Sequence, residues 1–176
     1  LGIPLIHIST DYVFPGTGAR AWRETDPVAP RNVYGHSKLA GEEAIRRTGC
    51  AHVILRTSWV FSAHGANFVR TMLRVSESRD QLQVVGDQTG GPTPAADIAA
   101  TCLSLADAMA AGAAPGGTYH YAGTPATSWA DFARQIFALS GRSVRVTAIP
   151  SADYPTPAER PLNSRLDCAK LATDFG

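Results

Sequence analysis

Short apolar segments rich in β-branched residues alternate with segments of helical periodicity along this chain. The expected strands are residues 3–9, 52–56, 82–85, 118–121 and 144–149. The expected helices are residues 34–48, 67–78, 95–111, about 128–140 and 167–173. A helix between two strands returns the chain to the same end of a sheet, so this order predicts an α/β fold with mostly parallel pairing.

The first expected strand lies at the very start of the chain. Ile3-Pro4-Leu5-Ile6-His7-Ile8 has the apolar character of a buried strand, whereas chain ends are usually exposed and loosely held. We therefore expect that residues once preceded Leu1. A sheet cut beside residues 3–9 would present an unpaired apolar edge. Another copy of the chain could pair with that edge, so a homodimer is one possibility.

Composition argues against several classes of partner. The 176 residues include 16 basic and 15 acidic ones without a basic stripe, so we expect neither nucleic acid nor a membrane as a partner. No apolar run is long enough to span a bilayer, and the first residues lack the charged segment of a signal peptide. The three cysteines are widely spaced, as expected for reduced thiols in a cytoplasmic protein. The scattered histidines predict no metal site.

Two loops and one helix are expected at the same edge of the sheet. The loops that begin at Thr10 and at Trp59 both leave the carboxyl ends of strands, where ligands bind in parallel sheets. The helix between those strands follows a Gly- and Pro-rich loop, residues 13–33, and Asn32 and Gly49 are suited to its two ends. This edge is therefore the candidate site.

Tyr34 and Lys38 are spaced for chemistry on that helix. Residues four apart share a helix face, and a lysine held beside a tyrosine stabilises the phenolate and lowers the pKa of the phenol. Such a phenol can donate or accept a proton in a reaction. The alternative is a half-buried tyrosine beside a solvated lysine, and the spacing alone does not decide between the two.

Longer motifs resemble the extended short-chain dehydrogenase/reductase superfamily, which has a Ser/Thr, Tyr and Lys reaction centre on a Rossmann-type sheet. They are Ser9-Thr10-Asp11-Tyr12-Val13-Phe14 and Tyr34-Gly35-x-Ser37-Lys38-x-x-Gly41-Glu42. Further segments resemble the dTDP-4-dehydrorhamnose reductase branch. These are Arg56-Thr57-Ser58-Trp59-Val60-Phe61, Gly65-x-Asn67-Phe68-Val69, Asp87-Gln88-x-Gly90-x-Pro92-Thr93 and Arg160-Pro161-x-Asn163-Ser164-x-Leu166-Asp167.

The resemblance implies a partial Rossmann-type parallel sheet with a smaller C-terminal substrate-binding lobe. Residues 1–62 would complete the dinucleotide-binding domain and carry the Tyr/Lys helix. Residues 63–176 would mainly form the substrate lobe, with some segments returning to the sheet. The implied reaction is NADPH-dependent reduction of the 4-keto group of dTDP-4-dehydro-L-rhamnose to dTDP-L-rhamnose, and NADH remains an alternative cofactor.

The resemblance also implies residue roles. Tyr34 would protonate the developing alkoxide, Lys38 would support it and bind the nicotinamide ribose, and Thr10 would hold the keto oxygen. The expected contacts to the sugar nucleotide are Thr10, Asp11, Tyr12, Trp59 and Arg160. Without the resemblance, Trp59 could equally be a core residue, and Arg160 a surface residue that orders the proline-rich tail.

One family motif is missing from this chain. The Gly-x-x-Gly-x-x-Gly turn that receives a dinucleotide pyrophosphate does not occur, because Gly16-x-Gly18 lies in a loop without the strand–turn–helix context. The chain therefore resembles the carboxyl-side portion of the reductase, and we expect the 176-residue piece alone to be inactive. Two alternatives remain open: an epimerase or dehydratase of the same superfamily, and a non-catalytic dinucleotide-binding regulatory subunit.

Overall fold

The computed structural model describes residues 3–113 and 116–175. The helices are α1 (Val33–Thr48), α2 (Phe68–Val75), α3 (Ala95–Ala110), α4 (Trp129–Leu139) and α5 (Ala169–Phe175). The longer strands are β1 (Leu5–Thr10), β2 (His52–Thr57), β4 (Gln81–Val85), β7 (Gly117–His120) and β9 (Arg145–Ile149). The two-residue strands are β3 (Val60–Phe61), β5 (Thr89–Gly90), β6 (Thr93–Pro94), β8 (Thr127–Ser128) and β10 (Asn163–Ser164).

The expected elements are present, with small shifts at their ends. β1 begins at Leu5 rather than at residue 3, and α2 ends at Val75 rather than at residue 78. The two-residue strands and two short 3₁₀ helices, Asp11–Val13 and Ser151–Asp153, were not predicted. Among the described residues, β5 and β8 form the antiparallel pair and the other ladders are parallel, so the predicted α/β fold is confirmed.

The main sheet has the strand order β1-β2-β7 and is covered on both faces. Successive side chains of a strand point to opposite faces, and β2 shows this directly. Val53 and Leu55 pack in a core with residues of α3 and α5, whereas Arg56 bonds to Glu42 on α1. The helix that carries Tyr34 and Lys38 therefore lies on the face opposite α3.

A second layer is built from the parallel pair β4 and β9 with α2 and α4. Its core includes Val84, Phe132, Ile136 and Phe137. β7 joins the main sheet from the second half of the chain, so that sheet combines segments from both halves. The boundary expected near residue 62 stays a prediction.

A third, smaller core ties the chain's late segment to its early loop. Val13 and Phe14 pack with Leu166, and the ring of Trp22 stacks on Phe14 with centroids 4.9 Å apart. Trp22 also pairs with Leu166 through a backbone bridge. The long loop between β1 and α1 is therefore packed against residues from near the end of the chain.

β1 lies at the margin of the main sheet and pairs with β2 on one side. Ile3, Leu5 and Ile8 there are exposed apolar side chains. None of the helices in residues 3–113 and 116–175 is long and apolar enough to cross a membrane. The same residues contain no group of three or more His, Cys, Asp or Glu arranged to hold a metal ion.

Candidate active site

The start of α1 is fixed by a side-chain cap. Asn32 has extended backbone angles, and its Oδ1 accepts a hydrogen bond of 2.8 Å from the amide of Gly35. This satisfies an amide that the first helical turn leaves without a partner. The cap places Tyr34 in the first turn and Lys38 one turn later on the same face.

Tyr34 is half exposed, with 51% of its surface accessible. Its ring meets the ring of Tyr12 edge-on, with centroids 5.5 Å apart and planes at 76°. A side chain at Gly35 would collide with the backbone carbonyl of Tyr12, so a glycine there lets α1 approach this loop. The phenol is thus held by an aromatic contact while one side stays open to a ligand.

Lys38 reaches the carboxyl end of β1. Its Nζ donates a hydrogen bond of 2.5 Å to the carbonyl of Ile8, two residues before Thr10. An ammonium group has three donors, so this bond leaves others to bind a hydroxyl group. The structure therefore brings the helix residues and the Thr10 loop to one edge of the sheet.

Thr10 and Asp11 are buried at the end of β1. The Thr10 hydroxyl donates to Oδ1 of Asp11 at 3.1 Å and accepts from the amide of Tyr12 at 3.2 Å. Burial raises the pKa of the Asp11 carboxyl to about 7, although the side chains of Ser164 and Thr10 counteract part of the rise. Oδ2 of Asp11 is buried and accepts no hydrogen bond. Asp11 therefore titrates near neutral pH beside Thr10.

Trp59 packs against residues from the second half of the chain. Its backbone has a positive φ of 49°, which is uncommon for a bulky residue. Its indole stacks on Trp129 with centroids 3.5 Å apart and planes at 10°. Gly90 also lies close to the indole, where a side chain would come within 2.6 Å of it. The carbonyl of Trp59 accepts a hydrogen bond of 3.1 Å from the amide of Thr93. Trp59 is thus packed against Trp129, Gly90 and Thr93, and among the contacts of the described residues none joins it to Tyr34.

Arg160 lines a cavity of about 360 Å³ between α2, β4 and α4. Phe68, Gln88, Trp129 and Tyr154 also line it. Burial, followed by the charge of Asp11, raises the pKa of Tyr12, and the positive charge of Arg160 lowers it. Arg160 is therefore close enough for its charge to act on Tyr12.

A buried ion pair underlies the site. Glu42 lies one turn beyond Lys38, is fully buried, and accepts from Nε and Nη2 of Arg56 at 2.9 and 2.7 Å. It also accepts from Ser9 at 2.5 Å and from Arg46 at 2.8 Å. One carboxylate thus joins α1 to the strands that precede Thr10 and Trp59. Glu42 and Trp129 were not predicted as site residues, although Glu42 lies in the Tyr34–Glu42 motif.

The residues fit part of a nicotinamide dinucleotide. Lys38 offers free donors beside the half-exposed Tyr34, which suits a ribose hydroxyl and the reacting end of the cofactor. β1 leads into a 3₁₀ helix and a long loop instead of a glycine turn and helix. Residues 3–113 and 116–175 contain no strand–glycine turn–helix unit of the kind that binds the pyrophosphate of a dinucleotide.

The sequence and the fold match known proteins along the whole chain. The family model of the RmlD substrate binding domain covers residues 1–176. The dTDP-4-dehydrorhamnose reductase of Sinorhizobium fredii is 46% identical, over 100% of this chain and 62% of the relative. The chain therefore spans about three fifths of the length of this curated relative.

Two solved structures have the same fold. A dTDP-4-dehydrorhamnose reductase from Clostridium acetobutylicum superposes with a TM-score of 0.91 and 38% identity, over 97% of this chain and 59% of that one. The Bacillus anthracis reductase in complex with NADP gives 0.90 and 36%, over 96% and 58% of the two chains. From its sequence and its fold, this chain belongs to the RmlD substrate-binding-domain family.

Proposed function

We propose that the full-length protein reduces the 4-keto group of dTDP-4-dehydro-L-rhamnose to give dTDP-L-rhamnose, with NADPH as the reductant. The observation that carries the proposal is the edge formed by half-exposed Tyr34 and by Lys38, whose ammonium group sits at the end of β1. The names of similar reductases and the NADP in one of them support the substrate and the cofactor. NADH remains the alternative reductant.

The chain's own residues would handle the proton and the keto oxygen. When bound, the nicotinamide supplies hydride to C4 of the sugar. Tyr34 gives its proton to the oxygen that becomes the hydroxyl, and Lys38 supports the phenolate that remains and holds the ribose. The product therefore gains one hydride on carbon and one proton on oxygen.

Thr10 can bind the keto oxygen once its hydrogen is released from Asp11. With Asp11 ionised, the Thr10 hydroxyl donates to Oδ1. Because the pKa of Asp11 is about 7, a protonated carboxyl is also present near neutral pH and can donate to Thr10 instead. The Thr10 hydrogen is then available to the developing charge on the substrate.

The sugar nucleotide would extend from this edge into the cavity. Arg160 has the planar donor group that suits a diphosphate. Tyr12 is in ring contact with Tyr34, and the charge of Arg160 acts on the pKa of Tyr12. Trp59 would present its indole to the nucleotide, held by Trp129. Asp11 keeps its predicted place among the contacts to the sugar nucleotide and supports the Thr10–Tyr12 turn.

The domain division and cellular setting belong to the same proposal. We assign residues 1–62 to a dinucleotide-binding domain, which a glycine-rich segment would complete, and residues 63–176 mainly to the substrate lobe. The separate core of α2, α4, β4 and β9 supports this division. The three free cysteines suit a cytoplasmic location. The exposed apolar residues of β1 are compatible with a homodimer.

The central test replaces the proposed acid. Tyr34→Phe in the full-length protein should lower turnover at least ~100-fold, because a general acid is lost. NADPH consumption with the 4-keto sugar nucleotide measures this. Tyr121→Phe, which removes a hydroxyl elsewhere in the fold, is the matched control and should retain activity. Near-normal turnover by Tyr34→Phe would remove Tyr34 from its role.

Product analysis separates the alternatives. An epimerase or a dehydratase would change the nucleotide sugar without net consumption of NADPH. A regulatory subunit would show no reductase activity in the full-length protein and would copurify with an enzyme in a fixed ratio. Stoichiometric formation of dTDP-L-rhamnose and NADP⁺ is the result expected here. The 176-residue piece alone should bind NADPH weakly, as a fluorescence titration would measure.

A further inference from the structure

The side chain of Asn32 makes one hydrogen bond within its own helix start and one to a distant part of the chain. Its Oδ1 accepts from the amide of Gly35 at 2.8 Å and caps α1. Its Nδ2 donates to the carbonyl of Glu159, also at 2.8 Å. Gly35 follows Tyr34 and Glu159 precedes Arg160, so one amide group connects the neighbours of two proposed site residues.

The Glu159 end of this connection has few other attachments to the loop before α1. Beyond Arg160, Asn163 is held firmly, because its amide donates to Gly16 at 2.9 Å and its Nδ2 donates to Arg20 at 2.7 Å. On the other side of Arg160, the described residues join Glu159 to that loop through the bond from Asn32 and an ion pair of 2.9 Å with Arg31. Both partners of the ion pair are about half exposed, and such pairs contribute little.

The connection matters because the proposed substrate has two groups at a set separation. Its keto carbon must meet Tyr34 while its diphosphate is held by a cation. An arginine on a long side chain binds well only where its backbone is held in place. A bond that anchors Glu159 to the cap of α1 holds the backbone of Arg160 relative to Tyr34.

We propose that Asn32 is a positioning residue that sets Arg160 relative to Tyr34 and so favours sugars carried on a nucleoside diphosphate. The inference rests on the proposed function. Asn32 touches neither the sugar nor the cofactor, and it acts through Arg160. Its helix-capping role and its bridging role use different atoms, which allows them to be separated by substitution.

Serine makes that separation, because its one oxygen caps a helix as well as asparagine but it has no second polar atom in the place of Nδ2 to reach Glu159. Asn32→Ser in the full-length protein should raise the Kd of thymidine diphosphate and the KM of the sugar nucleotide roughly 5-fold, the effect of one lost hydrogen bond. The kcat should stay close to that of the unmodified protein. Asn32→Ala, which loses both bonds, should also lower the melting temperature.

A double-mutant cycle with Arg160→Ala distinguishes bridging from capping. If Asn32 acts through Arg160, Asn32→Ser should add no further rise in Kd once Arg160 is absent. Independent, multiplicative effects would overturn the proposal, as would an unchanged Kd in Asn32→Ser alone. Glu159→Gln removes the ion pair but keeps the carbonyl, so it should leave Kd unchanged. A rise equal to that of Asn32→Ser would assign the connection to Arg31 and overturn the proposal.

The two proposals fail in different ways. Thymidine diphosphate binding is measured without turnover, so the cycle gives its answer even if the unmodified protein consumes no NADPH. Absence of NADPH consumption would count against the proposed function alone. Normal reduction with multiplicative effects in the cycle would count against the role of Asn32 alone.

Discussion

Trp59 and Trp129 lie face to face with ring centroids 3.5 Å apart, although one follows β2 and the other begins α4. The ring of Trp129 also contacts Phe68 and lines the cavity that contains Arg160. The backbone of Trp59 has a positive φ in this packed position. The orientation of Trp59, a proposed substrate-binding residue, is therefore set by a residue of α4 that lies 70 positions later in the sequence.

Removing the partner ring should disturb both stability and binding. Trp129→Leu should cost about 3 kcal/mol of unfolding free energy, because a large aromatic side chain leaves a packed cluster. It should also raise the KM of the sugar nucleotide by freeing Trp59. Urea unfolding and steady-state kinetics measure the two effects. Trp129→Phe keeps an aromatic face and should be milder in both, and equal losses in the two variants would contradict a role for the stack.

Two glycine-to-alanine changes should have opposite signs. A Cβ at Gly90 would lie 2.6 Å from the indole of Trp59, so Gly90→Ala should destabilise the protein by about 1–3 kcal/mol and shift the tryptophan fluorescence. Gly41 lies inside α1, and its nearest neighbour atom would be at an ordinary 3.5 Å. Gly41→Ala should therefore stabilise the protein by roughly 0.5–1 kcal/mol. Thermal unfolding of both variants tests the pair, and stabilisation by Gly90→Ala would contradict the packing of Trp59.

The Asp11 carboxyl should make stability fall as pH rises towards neutral. Its pKa is about 7 in the folded chain against an ordinary 3.8, so the folded state holds a proton that the unfolded chain has released. The contribution is complete below the ordinary pKa and is lost as pH rises through about 7. Asp11→Asn cannot ionise and should gain stability relative to the unmodified protein across this range, by up to about 4 kcal/mol.

Comparing the unfolding free energies of the unmodified protein and Asp11→Asn at each pH separates the effect of Asp11 from that of His120. Burial, with the charge of Arg56, lowers the pKa of His120 to about 4 from an ordinary 6.5. Its contribution is present above the ordinary value and is lost as pH falls, which is opposite in sign to that of Asp11. Both proteins contain His120, so the difference between their urea-unfolding curves removes it. A difference that stays constant between pH 4 and pH 8 would contradict the burial of an ionisable Asp11.

Glu42 should stabilise the fold at neutral pH and lose this effect in acid, which is opposite to the pH dependence of Asp11. Burial alone would raise the pKa of its carboxyl, but Arg56, Ser9 and Arg46 hold it below its ordinary value. That stabilisation is present above the ordinary pKa and is lost as pH falls through the lowered one. Glu42→Gln leaves Arg56 without a buried counter-charge and should cost about 3 kcal/mol at pH 7, and less at pH 3.

Glu43 provides a matched control for this substitution. It is the next residue of α1 and is exposed, so Glu43→Gln should change the unfolding free energy by less than about 0.5 kcal/mol. Chemical denaturation at both pH values compares the two variants. A similar small effect from both would mean that the buried ion pair is not needed to hold α1 against β1 and β2.

Local signals explain how much of the fold was predictable. The cap at Asn32 and the ending at Gly49 predict a helix over residues 34–48, and the structure places α1 at Val33–Thr48. The alternation of strands with helices along the chain likewise predicts the parallel sheet. The two-residue strands have no periodicity to detect, because their pairing depends on segments distant in sequence.

The candidate site was predicted less completely for the same reason. Tyr34, Lys38 and Thr10 lie in compact motifs next to predicted element ends. Trp129 does not, because its contact with Trp59 joins residues that are distant in sequence and arises only in the folded structure. The surroundings of Asp11 likewise include the buried side chain of Ser164, which is more than 150 positions away in the sequence.

The packing of segment 159–167 against the loop before α1 sets an order for biosynthesis. The bond from Trp22 to Asn163 spans 141 positions, and that from Asn163 to Arg20 spans 143. A ribosome must therefore translate nearly all of the chain before the Thr10–Asn32 loop can close. Until then Phe14 and Trp22 lack Leu166, one of the side chains that they pack against, so their core is completed late in synthesis.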